Sequence, residues 1–226
     1  MKPTCLAPEE KPEGHPCADP ANYQSDHALL AYLLQDLRSL MRRCRKGEIT
    51  IEPHEVLTWE VHGLQRRVVM CDPRALLESP IVNVVGFFGE RRINADVVCL
   101  DNVEVDLLAE FRNYPGIMSY SSVELVDHHW ANLVVHSKPD DRQAWRGSSV
   151  HKHAVATIAP QVYHSVRIHN GCIRGGVTGV GHVEIETTKY WDYDVSPTWE
   201  AIRILTKPAT ADKPLEPTIT GTRTDR

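Results

Sequence analysis

The chain has 226 residues, of which 42% are hydrophobic and 24% charged, and its formal net charge at pH 7 is −5. This composition is typical of a soluble globular protein with a substantial core. The negative charge, the absence of a lysine- or arginine-rich stripe and the absence of a run of about 18 apolar residues argue against nucleic-acid and membrane partners.

The first segment, residues 1–25, is rich in proline, glutamate and lysine, and this composition predicts a disordered N-terminal tail. It carries acids and prolines where a secretory signal would carry an apolar stretch. The six cysteines of the chain include no pair spaced as CxxC. Cysteines in this pattern are typical of free thiols in a reducing compartment, so we predict a cytoplasmic protein without a metal site.

The sequence pattern of residues 26–79 predicts an N-terminal extension made of one helix and paired strands. The segment Asp26–Arg45 is amphipathic, with an apolar stripe formed by Leu29, Leu33, Leu37 and Leu40. The segment Glu48–Cys71 is rich in β-branched residues and predicts a hairpin around His62-Gly63. We expect the helix to pack on the core of the protein or on a partner subunit.

Residues 80–173 show the periodicity of strand, helix, strand, strand, helix, strand. The predicted strands are Ile81–Phe88, Ile117–Val126, Trp130–His136 and Ser165–Cys172. The predicted helices are Val103–Tyr114 and a segment that begins at Pro139 and ends before Pro160. This βαββαβ order is that of the ferredoxin-like unit, in which both helices lie on one face of an α+β sheet.

The first core strand, Ile81–Phe88, is apolar on both of its alternating faces. A strand of this kind is buried on both sides. The two helices of the unit cover one face of the sheet, and a second copy of the sheet is the simplest cover for the other. The strand pattern therefore predicts a homodimer.

Residues 174–226 predict a C-terminal extension. A glycine-rich connector comes first, and a strand is expected at His182–Tyr193. The segment Pro197–Leu205 is compatible with a short helix or a strand. Residues 206–226 carry prolines and many threonines and are expected to form a loose tail.

Three stretches of the core carry a resemblance to a known superfamily. They are Tyr114–Glu124 with its Pro-Gly-Ile-Met turn, Trp130–Ser137, and a segment with Trp145, His151, Ala154, Pro160 and Tyr163–Arg167. On these residues the chain resembles the dimeric α/β-barrel superfamily, especially its antibiotic biosynthesis monooxygenase-like domains. The resemblance implies a ferredoxin-like βαββαβ unit that forms a dimeric α/β barrel, here with an added N-terminal helix and flanking strands.

The second core helix carries the first candidate site residue. We expect Gly147 to interrupt this helix and Ser148 to cap its restart. The apolar stripe of the restarted helix consists of Val150, Ala154 and Ile158. His151 lies on the inward side defined by that stripe, whereas His153 faces solvent. The alternative is that His151 is a core histidine whose ring is bonded to a backbone carbonyl.

Asn83 and Trp145 complete a set that the resemblance suggests. Asn83 stands in an otherwise apolar strand, where its amide must either be hydrogen-bonded or face a ligand cavity. Trp145 precedes the helix interruption, where an indole either packs in the core or lines a site. In heme-degrading members of the superfamily, an Asn on the first strand and a Trp and a His on the second helix line the pocket. The resemblance therefore implies heme as an alternative cofactor, with His151 as the residue that binds it.

Polar side chains alternate along three of the core strands and form a second candidate constellation. The residues that share a parity are Tyr120 with Glu124, Asn132 with His136, and Arg167 with His169. If all of them face inward, one face of the sheet carries bases for making a phenolate or enolate and donors for holding the anion. The alternative is a polar, hydrated barrel interior at a dimer interface.

Three functional hypotheses follow. The leading one is a cofactor-free, monooxygenase-like enzyme that oxidises a small aromatic or polycyclic substrate in a pocket between sheet and helices. Its candidate catalytic residues are His151, Asn83, Trp145, His136, Arg167 and His169. The alternatives are a heme-binding or heme-degrading protein, and a non-catalytic dimeric module that binds a small ligand or acts in a stress response.

Overall fold

The structure, a computed structural model, describes residues 2–126 and 129–205, and for residues 97–101 it describes the backbone alone. The strands are β1 (Thr4–Leu6), β2 (Val56–Val61), β3 (Leu64–Met70), β4 (Ile81–Arg91), β5 (Ile117–Glu124), β6 (Trp130–His136), β7 (Tyr163–Arg174), β8 (Val183–Asp192) and β9 (Trp199–Ile204). The α-helices are α1 (Asn22–Arg45), α2 (Pro73–Glu78), α3 (Val97–Glu110), α4 (Pro139–Arg146), α5 (Ser149–His153) and α6 (Ala159–Val162). A π-helical segment, Ala154–Ile158, joins α5 to α6.

The described strands form one mixed sheet in the order β1-β9-β8-β7-β4-β6-β5-β3-β2. Its middle, β7-β4-β6-β5, holds the four strands of the predicted βαββαβ segment, and each is antiparallel to its neighbours. The hairpin β2-β3 extends the sheet beyond β5, and β8, β9 and β1 extend it beyond β7. The predicted α+β class is therefore confirmed, with a sheet larger than one ferredoxin-like unit.

Helix α1 covers one face of this sheet. On β4, the side chains that face α1 are Val82, Val84 and Phe88, and each is at most 2% exposed. The alternating residues of the same strand, Val85 and Phe87, are only half-buried. The predicted burial on both sides is therefore complete only on the face that α1 covers, and the other face is partly open.

The position of α1 removes the open face on which the homodimer prediction rested. The buried stripe of α1 consists of Leu30, Leu33, Leu34 and Leu37, each at most 1% exposed. This stripe occupies the face that the sequence analysis assigned to a second copy of the sheet. Two sheets can face each other as in a dimeric α/β barrel only if α1 leaves its place. The oligomeric state of the protein stays a prediction.

Residues 2–25 are folded onto the sheet, which corrects the prediction of a disordered N-terminal tail. β1 pairs in parallel with β9. The guanidinium of Arg203, on β9, donates hydrogen bonds to the backbone carbonyls of Ala7, Glu10 and Ala18 at 3.2, 2.5 and 2.9 Å. Because the stabilising partners lie almost the whole chain away, the local composition contains no sign of this order.

The predicted β-hairpin and the two core helices are present with adjusted boundaries. Both turn residues between β2 and β3, His62 and Gly63, have positive φ, at 54° and 78°, as a type I′ hairpin turn requires. The first core helix, α3, starts at Val97, six residues before the predicted position. The second core helix continues past Pro160 to Val162. Pro160 is tolerated because it lies in the first turn of α6, where a missing N–H breaks no helical bond.

The outer strands belong to the same sheet as the core. The segments predicted as extended at His182–Tyr193 and Pro197–Leu205 contain β8 and β9, so the strand alternative holds for the second of them. Two of the three residues between the second and third core strands, Asp127 and His128, lie outside the described residues, as does the predicted tail at residues 206–226. None of the helices in the described part of the chain is long and apolar enough to cross a membrane.

Candidate functional site

A cavity of about 1140 Å³ lies between the helices α3 to α6 and the face of the sheet opposite α1. Ligand pockets usually measure about 300–1,000 Å³, so this one has room for a polycyclic molecule. On the sheet side, its lining includes Val85, Phe87, Asn132, Val134, His136 and Ile168. On the helix side, it includes Leu107, Phe111, Trp145, Arg146, His151 and Ile158.

The cavity exists because the helices contact this face of the sheet in two separate apolar clusters. One cluster joins Phe111 and Trp145 to Tyr120 and Val134. The other joins the Ile158 region to residues of β7, and its buried members are Ile158, Val162, Tyr163 and Val166. Residues of both clusters line the cavity that remains between them. The π-helical segment Ala154–Ile158 contributes to this wall, and such segments occur frequently at functional sites.

Local helix chemistry directs His151 into the cavity. Helix α4 ends at Arg146 with Gly147 as its C-cap, and the side-chain oxygen of Ser148 accepts a hydrogen bond of 3.3 Å from the backbone N–H of His151. This is the predicted interruption and the predicted cap. The imidazole of His151 lies 5.2 Å from the ring of Trp145, measured between centroids, and both side chains line the cavity. His153 is exposed, as the helical spacing predicted.

The imidazole of His151 is uncharged at neutral pH. Burial, and secondly the charge of Arg146, lower its pKa from 6.5 to about 4. A neutral imidazole has one nitrogen that donates and one that accepts a hydrogen bond. His151 can therefore accept a proton, donate a hydrogen bond or bind a metal ion.

His136 and Asn132 place unpaired polar atoms on the floor of the cavity. They lie four residues apart on β6, and both line the cavity. His136 is 1% exposed, and burial followed by the charge of Arg142 lowers its pKa to about 4. Neither Nδ1 of His136 nor Oδ1 of Asn132 has a hydrogen-bond partner in the described part of the chain. Because buried polar atoms are almost always paired, these two are suited to contact a ligand.

Tyr120 and Glu104 lie together elsewhere on the cavity wall. The hydroxyl of Tyr120 donates to Oε1 of Glu104 at 3.3 Å, and Glu104 also forms an ion pair with Arg67. Burial, and secondly the charge of Glu104, raise the pKa of Tyr120 far above its ordinary value. The phenol is therefore neutral at neutral pH, and it can act as a hydrogen-bond donor.

The sequence analysis did not single out the cationic residues that line the cavity, and three of them, Arg142, Arg146 and Lys189, lie close enough for their charges to interact. The two arginines lie four residues apart on α4, and Lys189 lies on β8. Burial, and next the charges of Arg146 and Arg142, lower the pKa of Lys189. A sequence signal existed in the i, i+4 spacing of the arginines beside Trp145. The contribution of β8 could not be found, because its place in the sheet was unknown.

Arg167 and His169 lie on the face of the sheet opposite the cavity, so the condition that all the polar alternates face inward is not met. The guanidinium of Arg167 donates to both carboxylate oxygens of Asp26 on α1, at 2.7 and 3.0 Å. The Nδ1 of His169 lies 2.8 Å from the hydroxyl of Thr188. Arg167 also pairs with Glu90. The two residues fix α1 to the sheet and do not touch the cavity.

Asn83 lies on the cavity side of the sheet without being part of the cavity wall. It is directly opposite His136 in the pairing of β4 with β6. Residues directly opposite each other in an antiparallel pair share a face. Of the predicted site residues, the structure therefore brings together His151, Trp145 and His136, places Asn83 beside them, and separates Arg167 and His169.

Comparisons with known proteins add little to this geometry. No family model matches the chain, and no curated protein matches it. Among solved structures, the chain is similar to the crystal structure of protein SO0527 from Shewanella oneidensis, at 10% sequence identity, over 41% of this chain and 91% of that chain, with a TM-score of 0.37. A likeness at that TM-score carries no argument, so the function must be inferred from the site itself.

Proposed function

We propose that this protein is a monooxygenase-like enzyme that oxidises an aromatic or polycyclic substrate in the cavity between sheet and helices. The observation that carries the proposal is the mixed character of the cavity wall. Most of the wall is apolar, as a polycyclic body requires, and a small number of polar groups fix orientation. Those groups include two neutral imidazoles, of His136 and His151, and the amide of Asn132.

The roles of these groups follow from their chemistry. The substrate lies with its rings against Phe87 and Val134. His151 accepts the proton of a phenolic or enolic hydroxyl. Nδ1 of His136, in the tautomer that carries the proton on this atom, donates a hydrogen bond to the resulting oxyanion, and Oδ1 of Asn132 accepts one from a second hydroxyl of the substrate. The resulting anion is electron-rich and reacts with O₂, which is the co-substrate. One oxygen atom enters the substrate, and the other leaves as water with electrons from the substrate's own C–H bonds.

The low pKa of His151 sets a condition on this mechanism. An imidazole with a pKa of about 4 is unprotonated at neutral pH, but it is a weak base. An anion that forms beside the ring favours the imidazolium and raises that pKa. Proton transfer therefore becomes favourable only when the substrate is bound and the cavity is closed to water.

Oxygen-dependent turnover is the test of the proposal. The protein is incubated with anthrones, naphthols and quinols under air and under nitrogen, and oxygen consumption is followed together with substrate absorbance. We expect oxygen uptake with at least one polycyclic phenol or enol, lost in His151→Gln and kept in the control His153→Gln, which changes the exposed histidine of the same helix. Binding without oxygen uptake by any of these compounds would overturn the enzyme proposal in favour of a non-catalytic binding module.

A second candidate function, heme binding, is favoured by His151 itself. Its imidazole is neutral and lines a cavity large enough for a planar macrocycle, and Arg142, Arg146 and Lys189 offer cations for carboxylate side chains. Heme would supply an iron centre for oxygen chemistry, with His151 as its ligand. A Soret band that appears on hemin titration and is lost in His151→Ala would support this function, whereas a colourless protein in excess hemin would exclude it.

A further inference from the structure

We propose that the cavity selects aromatic substrates that carry a carboxylate, and that Arg142, Arg146 and Lys189 bind this group. The inference rests on the proposed function and names the substrate class more narrowly. It is carried by a cluster of three cations in the cavity wall that have no anionic partner within the described residues.

The three side chains converge on the cavity from two elements. Arg142 and Arg146 are i, i+4 neighbours on α4, and such residues lie on the same side of a helix. The Nη1 of Arg142 donates to Oδ1 of Asn170 on β7 at 3.1 Å, which fixes the direction of its guanidinium. Lys189 lies on β8, the strand next to β7, in register with Ile168. The cluster therefore spans the side of the cavity where α4 approaches β7 and β8.

Three acids near the cavity or the cluster, Glu104, Asp141 and Glu200, are engaged elsewhere or form no ion pair with it. Glu104, on the cavity wall, forms an ion pair with Arg67. Asp141 caps α4 by accepting hydrogen bonds from the backbone of Lys138 at 2.8 Å and from a serine hydroxyl. Glu200 raises the pKa of Lys189 slightly against the other effects, but it is exposed and forms no ion pair with it. In the described part of the chain, no ion pair involves any of the three cations.

A cluster of this kind is unfavourable without an anion. The three half-buried cations repel one another, and burial removes part of their hydration. For Arg146 and Lys189, burial and the neighbouring arginine charges both act to lower the pKa. A bound anion removes the repulsion and replaces the lost hydration. Structures that keep unneutralised cations in a cavity of this size are therefore suited to bind an anionic ligand.

The chemistry of the cluster favours a carboxylate on an aromatic body. Guanidinium groups bind carboxylates through two parallel hydrogen bonds. Trp145 lies between Arg142 and Arg146 in the sequence of α4, and its indole and the neighbouring ring of His151 line the same cavity, where they offer aromatic contacts to the rest of the ligand. A carboxylate placed here directs the distal rings of the molecule toward the apolar walls formed by Phe87 and Ile158.

Binding measured by quenching of tryptophan fluorescence tests the inference without requiring turnover, since Trp130, Trp145 and Trp191 line the cavity. The probes are anthracene carboxylate and the corresponding anthracene carboxamide, which match in size and differ in charge. We expect the carboxylate to bind about tenfold more tightly, because hydrogen bonds to charged groups contribute more than neutral ones. The ratio of the two dissociation constants should become smaller at high ionic strength, because salt screens the charge of the carboxylate.

Substitutions show which side chains produce the preference for the carboxylate probe over the carboxamide probe. Arg146→Gln and Lys189→Gln should each reduce it several-fold, and Arg146→Lys should retain part of it. Arg91→Gln is the matched control, because Arg91 also lines the cavity but lies four residues beyond Phe87 on β4. Since Phe87 is level with Ile168 and Lys189, Arg91 is roughly 13 Å further along the strand. Melting temperatures confirm that each variant is folded.

The outcomes separate this inference from the proposed function. Equal binding of the two probes, or a preference lost equally in Arg91→Gln, would overturn the carboxylate site while leaving the cavity available for neutral aromatic substrates. Failure of both probes to bind would count against the aromatic cavity ligand and so against the proposed function. A preference lost in the cluster variants alone establishes the site.

Discussion

The Nε2 of His169 on β7 lies 2.9 Å from Oδ2 of Asp26 on α1, and both residues are buried. Arg167 donates two hydrogen bonds to the same carboxylate. Burial alone would raise the pKa of Asp26, but the hydrogen bonds and charges of His169 and Arg167 outweigh it and lower the pKa below 3.8. This ion-pair network attaches α1 to the face of the sheet that it covers.

Asp26→Asn should therefore destabilise the protein strongly. The change leaves Arg167 and His169 buried with a weaker partner, and breaking a buried pair in this way costs about 3–5 kcal/mol. Urea unfolding at pH 7 measures the effect. The control is Asp106→Asn, which changes an exposed aspartate on α3 and should alter the free energy of unfolding by less than about 0.5 kcal/mol.

The contribution of Asp26 to the free energy of unfolding should also depend on pH. Because the folded-state pKa of Asp26 is lowered, this contribution is complete above pH 3.8 and is lost as the pH falls through that lowered value.

The buried histidine His136 predicts a loss of stability between pH 6.5 and pH 4. Its pKa is about 4 in the folded protein and 6.5 ordinarily, so over this range the unfolded chain binds a proton that the folded chain does not. Each pH unit between these values corresponds to about 1.4 kcal/mol, or about 3 kcal/mol in total. The slope of the free energy of unfolding against pH should be shallower in His136→Gln. The remaining slope comes partly from His151 and His54, whose pKa values are also lowered.

His151→Ala distinguishes a functional role of His151 in the cavity from a structural role in the core. If the ring serves the cavity, its removal should abolish oxygen uptake and change the free energy of unfolding by less than about 1–2 kcal/mol. The measurement pairs activity per folded molecule with a melting curve, and His153→Ala is the control. A variant that melts early and remains fully active would show that His151 is structural, and attention would then move to His136.

Ser148→Ala tests how the second core helix is restarted. The hydroxyl of Ser148 caps α5 through the backbone N–H of His151 and also donates to Oε1 of Glu110 at 3.2 Å. Loss of an N-cap costs about 1 kcal/mol. Ser149→Ala, one residue further and exposed, should cost little. If both substitutions have the same small effect on thermal unfolding, the cap does not determine the position of His151.

The oligomeric state is open to a direct test. A homodimer that pairs two sheets must first release α1, whose leucine stripe is fully buried. We therefore expect any dimer of the native chain to form through another surface and to leave Asp26 in place. Light scattering at micromolar concentration gives the mass, and hydrogen exchange along α1 shows whether the helix stays attached. A dimer with rapid exchange throughout α1 would support the facing-sheet arrangement.

The strands and helices of the core were predictable from patterns of neighbouring residues. The residues that were placed wrongly or missed are those whose position depends on pairing between distant strands. The strand Trp130–His136 and the restart at Ser148 were predictable because alternation and capping are properties of neighbouring residues. Parity within one strand is also local, but which parity faces α1 depends on register between strands. This is why Arg167 and His169 were assigned to the wrong face. The cation Lys189 was missed for the same reason, since its strand joins the sheet beside β7.

The pairing of β1 with β9 has a consequence for how the protein is made. β1 leaves the ribosome long before its partner Ala201–Arg203 does. Until β9 emerges, the N-terminal segment has neither its strand partner nor the guanidinium of Arg203. Contacts that close so long a loop form late. A nascent chain would therefore carry α1 and most of the sheet while residues 2–20 remain accessible to proteases, chaperones and modifying enzymes.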